Sequence, residues 1–251
     1  MTVKIAIAGK GGTGKTTLSA LLIQYLAKNH PGKSIFAVDA DANANLNEVL
    51  GLEVEETISD ILDSIKDPKA VPAGMTKDMF VQYGISRAIV EMDAYDLLVM
   101  GNPQGPGCYC FPLDLLSKYL ERMAKNYDYM VTDNEAGLEH LSRKVIPSMD
   151  YLLIVSDATV RGIRSAGRVR EIAERVKIDI GKTFLIVSRG DDEQLATLKG
   201  EIDRTGLTLL GVVPYDSLIP QYDLEGRALV DLPADSVSLK ASEGLFRKLG
   251  F

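Results

Sequence analysis

With 251 residues, 46% of them hydrophobic and 25% charged, the chain can bury one large core, and we expect residues 1–251 to form a single domain. A formal net charge of −7 argues against a nucleic-acid partner held on a broad basic face, and no apolar run approaches the ~20 residues of a bilayer-spanning helix. The two cysteines, Cys108 and Cys110, are too few and too close for the disulfide framework of a secreted protein, so the expected compartment is the reducing cytoplasm, with no membrane partner.

The opening segment, MTVKIAIAGK, has a short apolar stretch running straight into a glycine loop and no small-residue cleavage site. It is expected to form a first strand, Val3–Ala8, and not a signal peptide. A helix is predicted over Thr16–Lys28 and a strand over Ser34–Val38. Met79–Met92, with the pattern FVQYGISRAIVEM, is expected to form a small antiparallel hairpin on a sheet edge, with Gly84 near its turn. Then follow strand Asp96–Met100, helix Leu113–Lys125, strand Tyr129–Thr132, helix Leu138–Val145, strand Tyr151–Val155 and helix Arg161–Val176. Strand Phe184–Val187, helix Glu193–Arg204, strand Leu207–Val213 and a terminal helix Ser238–Leu249 complete the chain. Most of these strands are continuous apolar runs, as parallel strands covered on both faces require. The alternation predicts an α/β fold: a doubly wound, mainly parallel sheet with helices on both faces and right-handed crossovers.

Gly9-Lys10-Gly11-Gly12-Thr13-Gly14-Lys15-Thr16-Thr17 matches G-x-x-x-x-G-K-[ST], placed between a strand and a helix as that motif needs. Its glycines let backbone N–H groups turn inward around phosphate oxygens, and the helix opening near Lys15 adds its positive end. Lys15 can reach β- and γ-phosphates, and the Thr16 hydroxyl can coordinate Mg²⁺. The same residues also satisfy G-x-G-x-x-G, with Asp39 standing where a dinucleotide's ribose would be bound. The Lys15-Thr16 pair and a second acidic strand end at Asp133 have no role in a dinucleotide site. They favour a nucleoside triphosphate.

With its extra Lys10, Gly9–Thr17 resembles the deviant Walker A motif of the family that includes MinD, ParA and the nitrogenase iron protein. The resemblance implies ATP and ADP as ligands with Mg²⁺, a homodimer, and a Lys10 that crosses the dimer interface to the partner's nucleotide. Asp39-Ala40-Asp41-Ala42-Asn43 resembles the family's first switch, although members often have Pro where Ala42 stands. It implies Asp39 near the Mg²⁺ shell and Asp41 positioning the attacking water. Asp133 resembles the Walker B acid that holds Mg²⁺ through water, and Gly137 lets the second switch move. The strand Phe184–Val187 runs into Ser188-Arg189, where relatives show Asn followed by Lys or Arg. Val213-Pro214-Tyr215-Asp216 resembles a later loop lining the base. Arg189, Pro214 and Tyr215 thus join Gly11, Gly12, Thr13, Gly14 and Thr17 as expected nucleotide contacts, and the choice of ATP over GTP comes from the family.

A disulfide between Cys108 and Cys110 would be strained at so short a spacing. The pair could be two buried small hydrophobes, or half of a four-thiolate site for Zn²⁺ or Ni²⁺ completed by a two-fold partner. Gly105–Pro112, together with Asp133-Asn134-Glu135-Ala136-Gly137-Leu138-Glu139-His140-Leu141, strongly resembles the CooC/AcsF nickel-insertion ATPases. That resemblance spans nearly the whole chain. It implies an ATP-hydrolysing metallochaperone whose client is carbon monoxide dehydrogenase or acetyl-CoA synthase. His140 is left out of the metal site. Two other functions stay open: a spatial regulator of the MinD/ParA kind that binds a membrane or DNA, for which the short amphipathic tail Gly244–Phe251 would be the anchor, and an iron–sulfur cluster carrier using the same thiolates.

Overall fold

Alternation along the first strand sets the architecture. In β1 (Val3–Gly9), Ile5 and Ile7 enter one core while Ala6 and Ala8 enter the other, as the two-residue period of a strand dictates. In the computed structural model, which describes residues 1–66, 70–102, 110–134, 148–176 and 178–250 (the side chains of 110–116 excepted), seven further strands join β1. They are β2 (Ile35–Ala40), β3 (Val90–Glu91), β4 (Asp96–Val99), β5 (Tyr129–Asn134), β6 (Ser148–Asp157), β7 (Asp179–Ser188) and β8 (Thr208–Val213). The sheet order is β3-β4-β2-β5-β1-β6-β7-β8. The pairs from β4 to β8 are parallel and β3 alone runs antiparallel to its neighbour β4. The expected doubly wound, mainly parallel sheet is what the chain forms.

Helices cover both faces. On the side of Ile5 and Ile7 lie α1 (Lys15–Asn29), α2 (Leu46–Leu50) and the last helix, α9 (Val237–Leu249). Their Leu21, Leu22, Leu26, Leu46, Leu245 and Phe246 close that core. On the side of Ala6 and Ala8 lie α3 (Ile58–Ser64), α4 (Lys77–Ala88), α5 (Cys110–Ala124), α6 (Val160–Arg175) and α7 (Asp192–Thr205), which contribute Ile61, Ile85, Leu120, Ile163 and Leu198. The short α8 (Leu218–Leu224) follows β8.

The segment Met79–Met92 corrects the hairpin expectation. Its antiparallel edge exists only as the two residues of β3, and the rest is the body of α4. Thr76 caps that helix by accepting a hydrogen bond from the Met79 N–H, which fixes a helical start. Val81, Gly84, Ile85 and Ala88 are its buried residues, spaced as one helical face. Gly84 is no turn residue: a Cβ there would stand 2.7 Å from Ile61 Cγ2, so glycine lets α4 sit close against α3. The chain also forms α2, α3 and α8 where no helix was expected. The helix expected over Leu138–Val145 lies outside the described residues.

Candidate functional site: a phosphate-binding cleft

The carboxyl ends of β1, β2, β5, β7 and β8 gather around the start of α1. The chain leaves β1 through Gly9, whose φ of 153° and whose would-be Cβ, 2.2 Å from the Val155 carbonyl oxygen, leave room for glycine only. It enters α1 through Gly14, in the left-handed region at φ 88° and with no side-chain cap. The first amides of α1 therefore have no side-chain acceptor of their own, the arrangement that receives an anion. The Lys10 carbonyl accepts from the Thr13 hydroxyl at 2.8 Å and from Lys15 Nζ at 3.5 Å, which turns it into the loop's own hydrogen bonds. The Lys10 side chain is exposed, whereas Lys15 is only 7% exposed. Gly11, Gly12, Thr13, Gly14, Lys15, Thr16 and Thr17 line one wall of a cleft of about 1140 Å³; Asp41, Ser188, Arg189, Pro214 and Tyr215 are among the residues of its other walls. That volume suits a nucleotide-sized ligand.

Strands β2 and β5 are neighbours, with Asp39 in register beside Asp133. Both carboxylates are buried, and they differ in what holds them. Asp39 accepts from the Asp41 N–H at 3.0 Å and from the Leu46 N–H at 2.9 Å, one bond to each oxygen. It therefore ties the loop after β2 to the start of α2. Burial pushes its carboxyl up to about 6, the two backbone bonds opposing the rise and the charge of Asp41 adding to it. Asp133 accepts from Ser19 Oγ at 3.1 Å on Oδ1, while its buried Oδ2 has no hydrogen-bond partner. Burial pushes this carboxyl up to about 7, with Asp39 adding to the rise and Thr16, Lys15 and Ser19 opposing it. Asp41 Oδ1 accepts from both the backbone N–H and Nδ2 of Asn43, each at 2.9 Å, which shapes the turn that brings this acid to the cleft.

On the opposite wall, the end of β7 supplies Ser188 and Arg189, and the loop after β8 supplies Pro214 and the exposed Tyr215. That loop is anchored by Asp216, which is 5% exposed. Its Oδ2 accepts from Ser236 Oγ at 2.6 Å, Ser238 Oγ at 3.0 Å and the Ser238 N–H at 3.1 Å, and its Oδ1 accepts from the Leu218 N–H at 3.0 Å. Burial opposes ionisation, but these four donors hold the Asp216 carboxyl below its ordinary value. Since α9 packs on α1, this acid connects the cleft's far wall to the helix that carries Lys15. Asp216→Ala is expected to destabilise the protein by about 2–4 kcal/mol, because it strands several buried donors. Urea unfolding measures this, and a loss below ~1 kcal/mol would remove the anchoring role.

A family model described as the CobQ/CobB/MinD/ParA nucleotide binding domain matches residues 4–230. The chain belongs to that family. It is 38% identical to an uncharacterized ATP-binding protein of Methanocaldococcus jannaschii, over 98% of this chain and 97% of that protein. The carbon monoxide dehydrogenase accessory protein CooC of Rhodospirillum rubrum is 29% identical over 92% of this chain and 90% of its own length. Among solved structures, the septum site-determining protein MinD of Pyrococcus horikoshii complexed with Mg-ADP shares the fold, with a TM-score of 0.74 and 23% identity over 99% of this chain and 96% of that one.

A CobQ/CobB/MinD/ParA domain implies a magnesium–nucleotide, and the residues present fit one. A buried carboxylate oxygen without a partner on Asp133 and the hydroxyl of Thr16, which lines the cleft and opposes the rise of that carboxyl, make the hard oxygen donor set that suits Mg²⁺. The sequence assigns no individual role to Ser19 or to Asn134. Ser19 lies one helical turn beyond Lys15, the only signal that could have marked it. Asn134 Nδ2 donates to the Ile7 carbonyl at 2.9 Å, which ties β5 to β1 below the loop. Cys108, the Cys110 side chain, Gly137 and His140 lie outside the described residues. Among the described residues no group of three or more His, Cys, Asp and Glu side chains is assembled for a metal ion. Among the described residues, likewise, no helix is long and apolar enough to cross a membrane.

Proposed function

We propose that this family member is an ATP-hydrolysing metallochaperone that carries nickel on Cys108 and Cys110 and delivers it to carbon monoxide dehydrogenase or acetyl-CoA synthase. The observation that carries the proposal is the C-x-C pair in a P-loop chain that aligns with CooC along nearly its whole length. In this scheme residues 1–251 act as one ATPase unit in a homodimer. Lys15 and the loop amides hold the phosphates, and Thr16 and Asp133 hold Mg²⁺, which neutralises phosphate charge when bound. Asp41 orients the attacking water. Lys10, exposed on the loop, reaches the partner's nucleotide, where an added cation stabilises developing charge. Pro214 and Tyr215 enclose the nucleoside. Two chains about a two-fold axis bring four thiolates to one ion, nickel or zinc. ATP contacts both chains and favours the closed pair; its hydrolysis removes that differential affinity and loosens the metal.

A membrane-anchored spatial regulator would need a free amphipathic tail. The apolar residues of α9, Leu239, Leu245, Phe246 and Leu249, are buried in the core against α1, which counts against an anchor there. The deciding experiment is an anaerobic nickel titration, with and without ATP, beside the Cys108→Ser/Cys110→Ser variant. The expected result is one nickel per two chains, lost in the variant. Nickel bound equally by both proteins would sink the delivery proposal and return the cysteines to a packing role.

A further inference from the structure

The strand end Ser188-Arg189 makes a contact that neither phosphate binding nor base contact explains. Ser188 Oγ donates to the Thr13 carbonyl at 2.6 Å and lies 3.2 Å from the Ser156 carbonyl. The Arg189 guanidinium donates through Nη2 to the Gly12 carbonyl. Two adjacent side chains, the last of β7 and the one after it, thus bind two adjacent carbonyls of the phosphate loop, across more than 170 residues of sequence. The third relevant carbonyl, that of Lys10, is taken by Thr13 and Lys15 from within the loop. Arg189 adopts φ 54°, a left-handed conformation uncommon for a residue with a side chain, and its N–H donates to the Val213 carbonyl at 2.7 Å. The chain therefore holds an unfavourable backbone geometry at the residue whose guanidinium reaches Gly12.

We infer that Ser188 and Arg189 form a strap that preorganises the phosphate loop, a positioning role distinct from contact with the nucleoside. A loop that cradles an anion must turn its N–H groups inward, so its carbonyls turn outward and need donors. Unpaired, those carbonyls favour peptide orientations that spoil the cradle. With Ser188 and Arg189 in place, the carbonyls of Gly12 and Thr13 are already satisfied, and the loop stands ready before a ligand arrives. Such readiness raises affinity by lowering the ordering cost of binding. The strap acts on the phosphates' receptor, so it strengthens any polyphosphate equally, with or without a base. The inference rests on the assignment of Gly9–Thr17 as the phosphate site.

The test uses a probe that lacks a nucleoside. Affinities for Mg-ATP and for Mg-tripolyphosphate are measured by calorimetry on the full chain, its Ser188→Ala, Ser188→Thr, Arg189→Ala and Arg189→Lys variants, and Lys15→Ala. Arg189→Ala is expected to weaken both ligands by the same factor, about tenfold, as for the loss of one charge-assisted hydrogen bond. Ser188→Ala should weaken both by roughly three- to tenfold, and Ser188→Thr, which keeps the hydroxyl, should restore both. Arg189→Lys should recover part of the loss. Weaker ATP binding with unchanged tripolyphosphate binding overturns the strap and makes the pair a nucleoside contact; unchanged affinity for both ligands also overturns the strap. If the wild-type chain fails to bind tripolyphosphate and Lys15→Ala leaves ATP binding intact, the phosphate-site assignment itself fails and takes the strap with it.

Discussion

Lys15→Ala is expected to lower the affinity for Mg-ATP by about two to three orders of magnitude. Lys15 is 7% exposed and opens α1 beside the loop amides. A phosphate placed there exchanges hydration for a charge-assisted contact with a cation that water screens poorly. Removing one partner of such a pair costs roughly 3–5 kcal/mol, which corresponds to about 10²–10³ in a dissociation constant. The change also acts without ligand. Lys15 is one of the groups that oppose the rise of the Asp133 carboxyl, so its loss leaves Asp133 more readily protonated. Magnesium must then displace a proton held more tightly, and the variant should lose magnesium dependence as well as affinity. Calorimetry with and without Mg²⁺ separates the two effects. A variant within threefold of wild type in Mg-ATP affinity would exclude Lys15 from the phosphate site.

What the sequence revealed follows from where residue type and chemistry coincide. Gly9–Thr17 was legible because phosphate binding demands glycines, a lysine and a hydroxyl at fixed spacing between a strand and a helix. The central strands were legible because burial on both faces makes them continuous apolar runs. The edge was harder. In FVQYGISRAIVEM the β-branched and aromatic residues favour a strand locally, yet the buried set Val81, Gly84, Ile85 and Ala88 is helical once Gly84 is counted as a core residue. That role becomes visible only when Ile61 is seen against it. Asp216 looked like part of a base-lining loop because its partners Ser236 and Ser238 lie some twenty residues away. Asp39 read as an acid near the Mg²⁺ shell, and the fold adds a role that spacing does not encode: each of its oxygens accepts a backbone N–H. Ser188 read as a departure from a base-contacting position, and its bonds to the phosphate loop are a tertiary fact that spacing along the chain does not encode.

Asp133 is the acid whose environment predicts the largest response to pH and to Mg²⁺. Its folded value of about 7 lies above the ordinary 3.8, so the ligand-free protein binds this proton more tightly folded than unfolded. Stability from this group is therefore present at low pH and is lost as pH rises through about 7. Asp39, held up at about 6, acts in the same direction over a slightly lower window. Between pH 8 and pH 5 these two acids should make the ligand-free protein more stable by on the order of 2–4 kcal/mol. Magnesium–nucleotide affinity should follow the opposite slope, falling as pH drops below 7, because the cation and the proton compete for one carboxylate. Asp133→Asn separates these effects. The variant keeps a neutral polar group in the buried position at every pH, so its ligand-free stability should vary less between pH 8 and pH 5 and should equal or exceed wild type at pH 8. Without the charged oxygen, Mg²⁺ should add nothing to the stabilisation that ADP alone provides, and hydrolysis should fall by at least about 10²-fold. Thermal unfolding of both proteins at the two pH values, with ADP and with Mg-ADP, reads all of this in one series. An Asn variant still stabilised by Mg²⁺ to the wild-type extent would move the cation to another oxygen. A wild-type profile rising with pH would show instead that the buried carboxyl is ionised in the ligand-free fold, held by Lys15, Thr16 and Ser19 against the desolvation that opposes it.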